Sequence, residues 1–545
     1  MKRFLLLTAV WCSFILAWAQ QSMPVLHTTS SWVEVFADGQ ESILWYINPR
    51  LRPDVYTTSA HRVVFRSETD SLVFDVEKWG SHDFWIVVND TDSALTRIQW
   101  VSGNPMEEPS PQILRRSTGG WLSKEQALFD LNALCYTISE VHPNMFATCG
   151  QDRFMIEKAR IEAEMPDSMA KLMLYERIAP LVTMLDDGHT NVVFPFNDVF
   201  TRTTQRLPLF VETGPDRTLT ALRCIDNTIP QGAEILRING VDAKTMVQAM
   251  LPYVSGEREY YRLDRLSGVF PALFQMLYAA EKYQVEYREN GRKKPQTVML
   301  APATWDEIKL RMPQERQTQS SKPYDFRILD KEKVAVMDFN SCDNIEGMRH
   351  FADSMFTALR TQGIKRLIID VRNNGGGNSR VGDELLRYIA PEPFCQMEKT
   401  LVRVTPVTQK LANGSIPYTG WYYYGMDNRK LIQPLTAAEG HFDGQVWLLI
   451  GHHTFSSASS FAWAFKAFHA GKTVGEETGG MGVSFGDYLI YRMPASNLAC
   501  TISYKRFFLY GADEKNNHGT LPDYPIKADK ALDEALRIIA KQRGN

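Results

Sequence analysis

At 545 residues the chain is too long for one ordinary hydrophobic core, so two to four domains are expected. Hydrophobic residues make up 44% and charged residues 23%, which excludes a disordered chain. A formal net charge of -3 gives no basic footprint for nucleic acid and implies no strongly charged partner.

The N-terminus reads as a secretory signal peptide over residues 1–19. Lys2 and Arg3 precede an apolar stretch from Phe4 to Trp18, closed by Ala17-Trp18-Ala19 before Gln20. A membrane anchor would need about 20 apolar residues. Cys12 follows Val10 and Trp11, and the bulky indole argues against a lipoprotein cleavage site. No later segment has the length and apolarity of a membrane span. The mature protein is therefore expected outside the cytoplasm, periplasmic or extracellular. Cys135, Cys149, Cys224, Cys342, Cys395 and Cys500 are scattered without C-x-x-C spacing. Cys135 and Cys149 either pair in an oxidising compartment or stay as buried thiols. No H-e-x-x-H signature occurs, and neither a metal nor a cofactor is expected.

Residues 20–115 are β-rich. Ser31 to Phe36 and Phe84 to Val88 alternate or run apolar between Asn, Asp and Gly turns, and a small β-sandwich-like domain is predicted. Asn104 to Pro111, with three prolines, reads as a linker. Residues 116–200 turn helical. One helix follows Ser123, with Leu128, Leu131, Leu134 and Cys135 on one face; a second spans Asp152 to Glu164, and a third runs from Ser168 to Leu185. The segment Val192-Val193-Phe194 is predicted as a strand. Residues 201–305 return to short strands. Gly232 to Val241 alternates and closes on an Asn239-Gly240 turn before a helix from Ala243, in the manner of a degenerate PDZ-like module. Residues 306–545 show α/β alternation, with strands Val334 to Phe339, Arg366 to Val371 and Val446 to Ile450. The last two are apolar enough to be buried on both faces.

Three stretches carry chemistry. Strand Leu367 to Val371 runs into Arg372-Asn373-Asn374-Gly375-Gly376-Gly377-Asn378-Ser379 and then a helix from Val381 to Ile389. Glycines let amide groups point at a ligand, and a helix N-terminus adds partial positive charge; an oxyanion needs that environment. The loop lacks the Walker ending and the dinucleotide spacing, which disfavours phosphate. Strand Val446 to Ile450 leads through Gly451 to Ser460 into a helix from Phe461 to Phe468. A hydroxyl at such a strand-to-helix turn sits where a nucleophile elbow would place it, although the pattern is not G-x-S-x-G and serines there commonly cap helices. Asp187-Gly188-His189-Thr190 is the third stretch, and a histidine there either serves a site or bonds its own loop.

Taken in order, Leu185-Asp186-Asp187-Gly188-His189-Thr190, Asp370-x-Arg372-x-Asn374-Gly-Gly, Thr454-Phe455-Ser456-Ser457-Ala458 and Gly475-Glu476-x-Thr478-Gly479-Gly480 resemble the tail-specific, C-terminal processing serine peptidases. The similarity is to the branch containing the tricorn protease core and the interphotoreceptor retinoid-binding protein modules, and it covers roughly residues 120 to 530. The resemblance implies a crotonase-like ββα superhelical catalytic domain and hydrolysis of protein or peptide substrates through an acyl-enzyme. It implies Ser457, the serine before Ala458, as nucleophile and His189 as general base. Gly375 or Gly376 would supply one oxyanion-hole amide and Ala458 the other. Ser–Lys members carry a lysine where Met481 stands, and Lys472 lies on the wrong side of the motif, so Ser–His chemistry is implied. The branch also places a glutamate before Gly519-Thr520-Leu521-Pro522-Asp523. Asn516 occupies about that position and Glu514 lies two residues earlier, and either is a candidate third group. The competing expectation is a non-catalytic ligand- or peptide-binding protein on a peptidase-derived scaffold. Crotonase-type acyl chemistry is disfavoured because export separates the chain from coenzyme A.

Overall fold

Apolar strands flanked by helices bury both their faces, and that pattern organises the computed structural model around the sheet that bears the site. The structure describes residues 23–30, 32–39, 43–46, 54–58, 60–76, 81–90, 92–100, 106, 120–311, 322–413, 420–425 and 431–543. The expected signal peptide lies outside them, as does the Asn104–Pro111 linker apart from Met106.

Two compact units are present, residues 1–105 with 419–425 and residues 106–418 with 426–545. In the first, two four-stranded sheets share one core. One sheet runs Ile43–Tyr46, Trp32–Ala37, Arg62–Arg66, Ser71–Asp75; the other runs Val25–Thr28, Ser81–Val88, Asp92–Trp100, Asp54–Thr58. Alternation puts Val33, Val35, Val63 and Phe65 inward from one and Leu26, Phe84, Ile86 and Ile98 from the other.

The second unit contains a six-stranded sheet ordered Tyr324–Leu329, Val334–Phe339, Arg366–Asp370, Gln445–Ile450, Lys472–Gly475, Tyr524–Pro525. The first pair is antiparallel and the others are parallel. Ala335, Met337, Leu367, Ile369, Leu448 and Ile450 pack under helices Ile345–Thr361, Ser379–Ile389 and Ser457–Ala467. Val334, Val336, Ile368, Trp447, Leu449 and Val474 pack on the C-terminal helix Ala531–Arg543. In such sheets ligands bind beyond the carboxyl ends of the strands. The loops 371–378, 451–456 and 476–481 all lie there.

Helix Lys124–Val141 starts with a capping box between Ser123 and Gln126. It is followed by helices Gln151–Ala163 and Lys171–Thr183. The last differs from the sequence expectation, because Ser168–Ala170 pairs as a strand with Trp121–Ser123. Residues 209–300 form an antiparallel sheet ordered Leu209–Thr213, Leu219–Cys224, Glu234–Ile238, Tyr283–Arg288, Gln296–Leu300, with helices Ala243–Met250 and Glu259–Tyr278. Asn239 and Gly240 both adopt positive φ (50° and 79°), as a tight hairpin turn demands. These helices and this sheet share one core with the hairpin Val483–Arg492/Ala499–Leu509.

That hairpin sets the position of the histidine. The short strand Asn191–Val192, shorter than the expected 192–194, pairs with Thr501 and Cys500. Buried Asp130 accepts the amides of Ala495 and Ser496 in the hairpin turn (2.8 and 2.7 Å). Cys135 and Cys149 do not pair; both are buried free thiols, and burial pushes Cys135 up to about 12. Among the described residues no helix is long and apolar enough to cross a membrane.

Candidate active site

The glycine loop is held by its own polar side chains. Asp370 accepts the Arg372 amide (3.0 Å) and both sides of its guanidinium (2.9 and 2.6 Å), which fixes the strand end. Asn374 is fully buried; its Nδ2 donates to Phe339 O (3.0 Å) and its Oδ1 accepts the Gly376 amide (2.9 Å). Gly376 has φ 104°, and a Cβ there would sit 2.7 Å from Ser456 Cβ and 3.0 Å from the Ser457 nitrogen. Only glycine allows this loop to lie so closely on the next turn.

That turn follows Gln445–Ile450. Thr454 Oγ1 donates to Val371 O (2.9 Å) and the Phe455 amide donates to Asn374 O (3.1 Å), so the two loops are bonded to each other. The helix begins at Ser457, four residues earlier than the sequence pattern suggests. Ser456 therefore occupies the last position before it, at φ 51°, ψ -128°. A non-glycine residue in this region carries strain of about 1–3 kcal/mol, and such residues gather at active sites. The Ser459 hydroxyl and the Ser460 amide hold the turn by donating to Ser456 O (2.7 and 3.0 Å). From the third loop, the Gly479 amide donates to Thr454 O (2.9 Å), and Gly480 packs against Ser459 too tightly to admit a Cβ.

His189 comes from the other sheet. Its carbonyl accepts Thr501 Oγ1 (2.7 Å), its amide donates to Asp187 Oδ1 (2.9 Å), and Thr190 Oγ1 accepts the Ser503 amide (2.9 Å). Its ring stacks on Phe455 with centroids 4.7 Å apart, and Tyr261 stacks on Phe455 at 4.4 Å. In this orientation His189 Nε2 lies 3.1 Å from Ser456 Oγ.

The expected partner of His189 was Ser457, and the geometry corrects that. Ser457 Oγ donates to Gly377 O (2.6 Å), tying the helix start to the glycine loop. It faces the loop because residue 457 is already in the helix, one step round from the turn. Two of the three expected oxyanion amides are also engaged: Gly376 N–H with Asn374 Oδ1, and Ala458 N–H with Phe455 O (3.0 Å). Among the described residues the amides of Gly375 and Ser457 donate to no acceptor. Glu514 is half-exposed and paired with Arg506 (3.1 Å), and it is not among the carboxylates clustered with His189. Lys472 is exposed, and Met481 is buried.

The carboxylate beside His189 is Asp187, whose Oδ1 lies 3.8 Å from Nδ1. Asp187 is completely buried; its Oδ2 accepts Ser503 Oγ (2.6 Å) and lies 3.3 Å from His142 Nε2. His142 Nδ1 accepts the Asn144 amide (3.1 Å), so the imidazole proton sits on Nε2, directed at Asp187. Burial opposes the charge on Asp187, but the bonds from His142 and Ser503 and the neighbouring imidazoles outweigh it and hold the carboxyl below its usual range. For His189 burial prevails over the Asp187 charge and lowers the imidazole, which keeps it neutral and able to accept a proton. Glu257 completes the group: Asp187, His189 and Glu257 offer ligand atoms all within 4.8 Å of one another. Asp187 stands in the quoted Asp-Gly-His motif, whereas His142, Ser503 and Glu257 reach the site through tertiary packing that no local pattern announces.

Comparison with known proteins yields one family match. Residues 333–526 match the family described as Peptidase family S41. A solved structure of a serine-to-alanine mutant of CPAF aligns with 77% of this chain and 98% of its own at 14% identity and a TM-score of 0.57. Mature CPAF in complex with lactacystin aligns with 77% and 98% at 15% identity and a TM-score of 0.53. At such identities these likenesses show a shared fold.

Proposed function

We propose that this chain, whose residues 333–526 match peptidase family S41, is a serine-type peptidase of the tail-specific, C-terminal-processing kind, with Ser456 as its nucleophile and His189 as its base. The observation that carries the assignment is the 3.1 Å contact between His189 Nε2 and Ser456 Oγ, on a turn whose backbone holds a non-glycine residue at positive φ.

His189 Nε2 removes the Ser456 hydroxyl proton as Oγ attacks the scissile carbonyl. The developing oxyanion is bound by the two unengaged amides, Gly375 N–H and Ser457 N–H; one such donor is typically worth roughly 10²–10³ in rate. The imidazolium gives its proton to the leaving amine, and water then attacks the acyl-enzyme with His189 again as base. Asp187 stays ionised beside Nδ1, where it favours the Nδ1–H tautomer and the transient positive charge. Asp187 thus takes the place that sequence reasoning gave to Glu514 or Asn516.

The finer features belong to the same reading. The chain is exported through a signal peptide, its catalytic domain is crotonase-like, residues 201–305 form a degenerate PDZ-like module, and its substrates are unfolded proteins or peptides. A non-catalytic binding role is disfavoured by a hydroxyl and a neutral imidazole already in bonding contact. The test is hydrolysis of an unstructured protein such as casein by the parent and by Ser456→Ala. The variant should lose activity by roughly 10⁴ or more with unchanged thermal unfolding. Equal turnover by the two would overturn the assignment.

A further inference from the structure

Behind the catalytic imidazole, on the side away from Ser456, three potential ligands converge. Both oxygens of the Glu257 carboxyl are buried and accept no well-formed hydrogen bond among the described residues, although the backbone at Glu257 and Gly188 lies close enough to act on them. His189 Nδ1 is buried and makes no well-formed hydrogen bond, with Asp187 beside it and the Phe485 backbone acting on the ring. Asp187 Oδ1 lies 3.8 Å from Nδ1, and the three groups fall within a 4.8 Å cluster. A buried carboxyl without a well-formed hydrogen bond is costly to maintain, and here burial and the Asp187 charge push Glu257 up to about 8 against the partial relief from the Gly188 backbone and the Arg265 charge.

The arrangement has features of a built site. Asp187 Oδ2 is occupied by Ser503 and by the His142 N–H, which orients Oδ1 toward Nδ1. Outer hydrogen bonds of this kind hold ligating carboxylates in place. The Arg265 guanidinium donates to the carbonyls of Gly188 and Ser255 (2.9 and 2.7 Å), and its charge acts on Glu257 and His189 without bonding either.

We propose that Asp187, His189 Nδ1 and Glu257 form a zinc site that switches the peptidase off. One imidazole nitrogen and two carboxylates are a donor set zinc accepts in four-coordinate geometry with water in the open position, whereas magnesium and calcium favour oxygen-only shells. The consequence for catalysis, which rests on the Ser–His reading above, follows from the tautomer. Zinc on Nδ1 leaves the ring proton on Nε2. There it donates to Ser456 Oγ, and the ring has no lone pair left to take the hydroxyl proton. The ion thus disables the base without covering the nucleophile or the oxyanion amides.

The test is zinc binding by the full chain carrying Ser456→Ala, titrated with zinc chloride against a chromophoric chelator. One zinc per chain is expected. Glu257→Gln and, separately, Glu257→Ala should weaken binding by about tenfold or more, with folding checked by thermal unfolding. Cobalt should bind the same site and give the strong visible bands of four-coordination. In the Ser456 parent, zinc should inhibit hydrolysis with a midpoint equal to its Kd, and a chelator should restore it. Glu257→Gln should raise that midpoint, relative to its own zinc-free rate, by the factor lost in Kd. Absence of zinc binding, or binding unchanged in both Glu257 variants, overturns the site. Glu257-dependent binding that leaves hydrolysis untouched overturns the switch. A parent that binds zinc through Glu257 yet hydrolyses nothing supports the site and removes the peptidase assignment instead.

Discussion

The turn that presents Ser456 and the corner that presents His189 meet across 3.1 Å, yet they are held by different means. The turn is mainly a backbone construction: the Phe455 amide donates to Asn374 O and the Thr454 hydroxyl to Val371 O across two loops, and glycines at 376 and 480 let them touch. The corner is a side-chain construction: Ser503, Thr501, Thr190, Asp187 and His142, from three distant stretches, orient one imidazole. A nucleophile held by backbone geometry tolerates little variation in shape. A base held by packed polar side chains can be tuned, or disabled, without disturbing the nucleophile.

Removing the charge at the corner tests the second half of that contrast most strongly. Asp187→Asn should lower kcat/KM by roughly 10²–10³, because the amide no longer favours the Nδ1–H tautomer or the imidazolium. Steady-state hydrolysis with a fluorogenic peptide checks this. A loss under threefold would mean that Asp187 only supports the fold. Ser457→Ala sharpens the other half. It breaks the bond to Gly377 O and should cost about 1 kcal/mol in urea unfolding, with activity reduced by less than about tenfold.

Much of this arrangement is visible in the amino-acid order, and the exceptions share a cause. The parallel strands around Ile368 and Leu448 and the glycine loop follow from apolar runs closed by Asn and Gly. The choice between Ser456 and Ser457 does not, because it depends on the helix starting at residue 457 and not at 461, a shift hidden in a run of four small residues, Ser457 to Ser460. His142 and Glu257 were equally hidden. One lies just past the end of the helix Lys124–Val141 and the other just before Glu259–Tyr278, and only tertiary packing carries them to Asp187. Asp187 was in plain view two residues before His189, but glutamate near residue 514 drew the assignment away from it.

The smallest expected effect concerns pH. Because burial lowers the His189 imidazole below its ordinary 6.5, the ring stays neutral to lower pH than a solvent-exposed histidine. The acid limb of kcat/KM for chelator-treated enzyme should therefore fall below pH 6.5. Asp187→Asn, by removing the charge that partly offsets burial, should move it lower still. An acid limb above the ordinary value would show that the corner favours the charged ring.

The central claim is that the hydroxyl on the strained turn, and not its helical neighbour, reacts. Labelling the zinc-free protein with a fluorophosphonate and locating the adduct by tandem mass spectrometry addresses it directly. The modification is expected on Ser456 in the parent and in Ser457→Ala, and on neither serine in Ser456→Ala. An adduct on Ser457 that survives Ser456→Ala would contradict it.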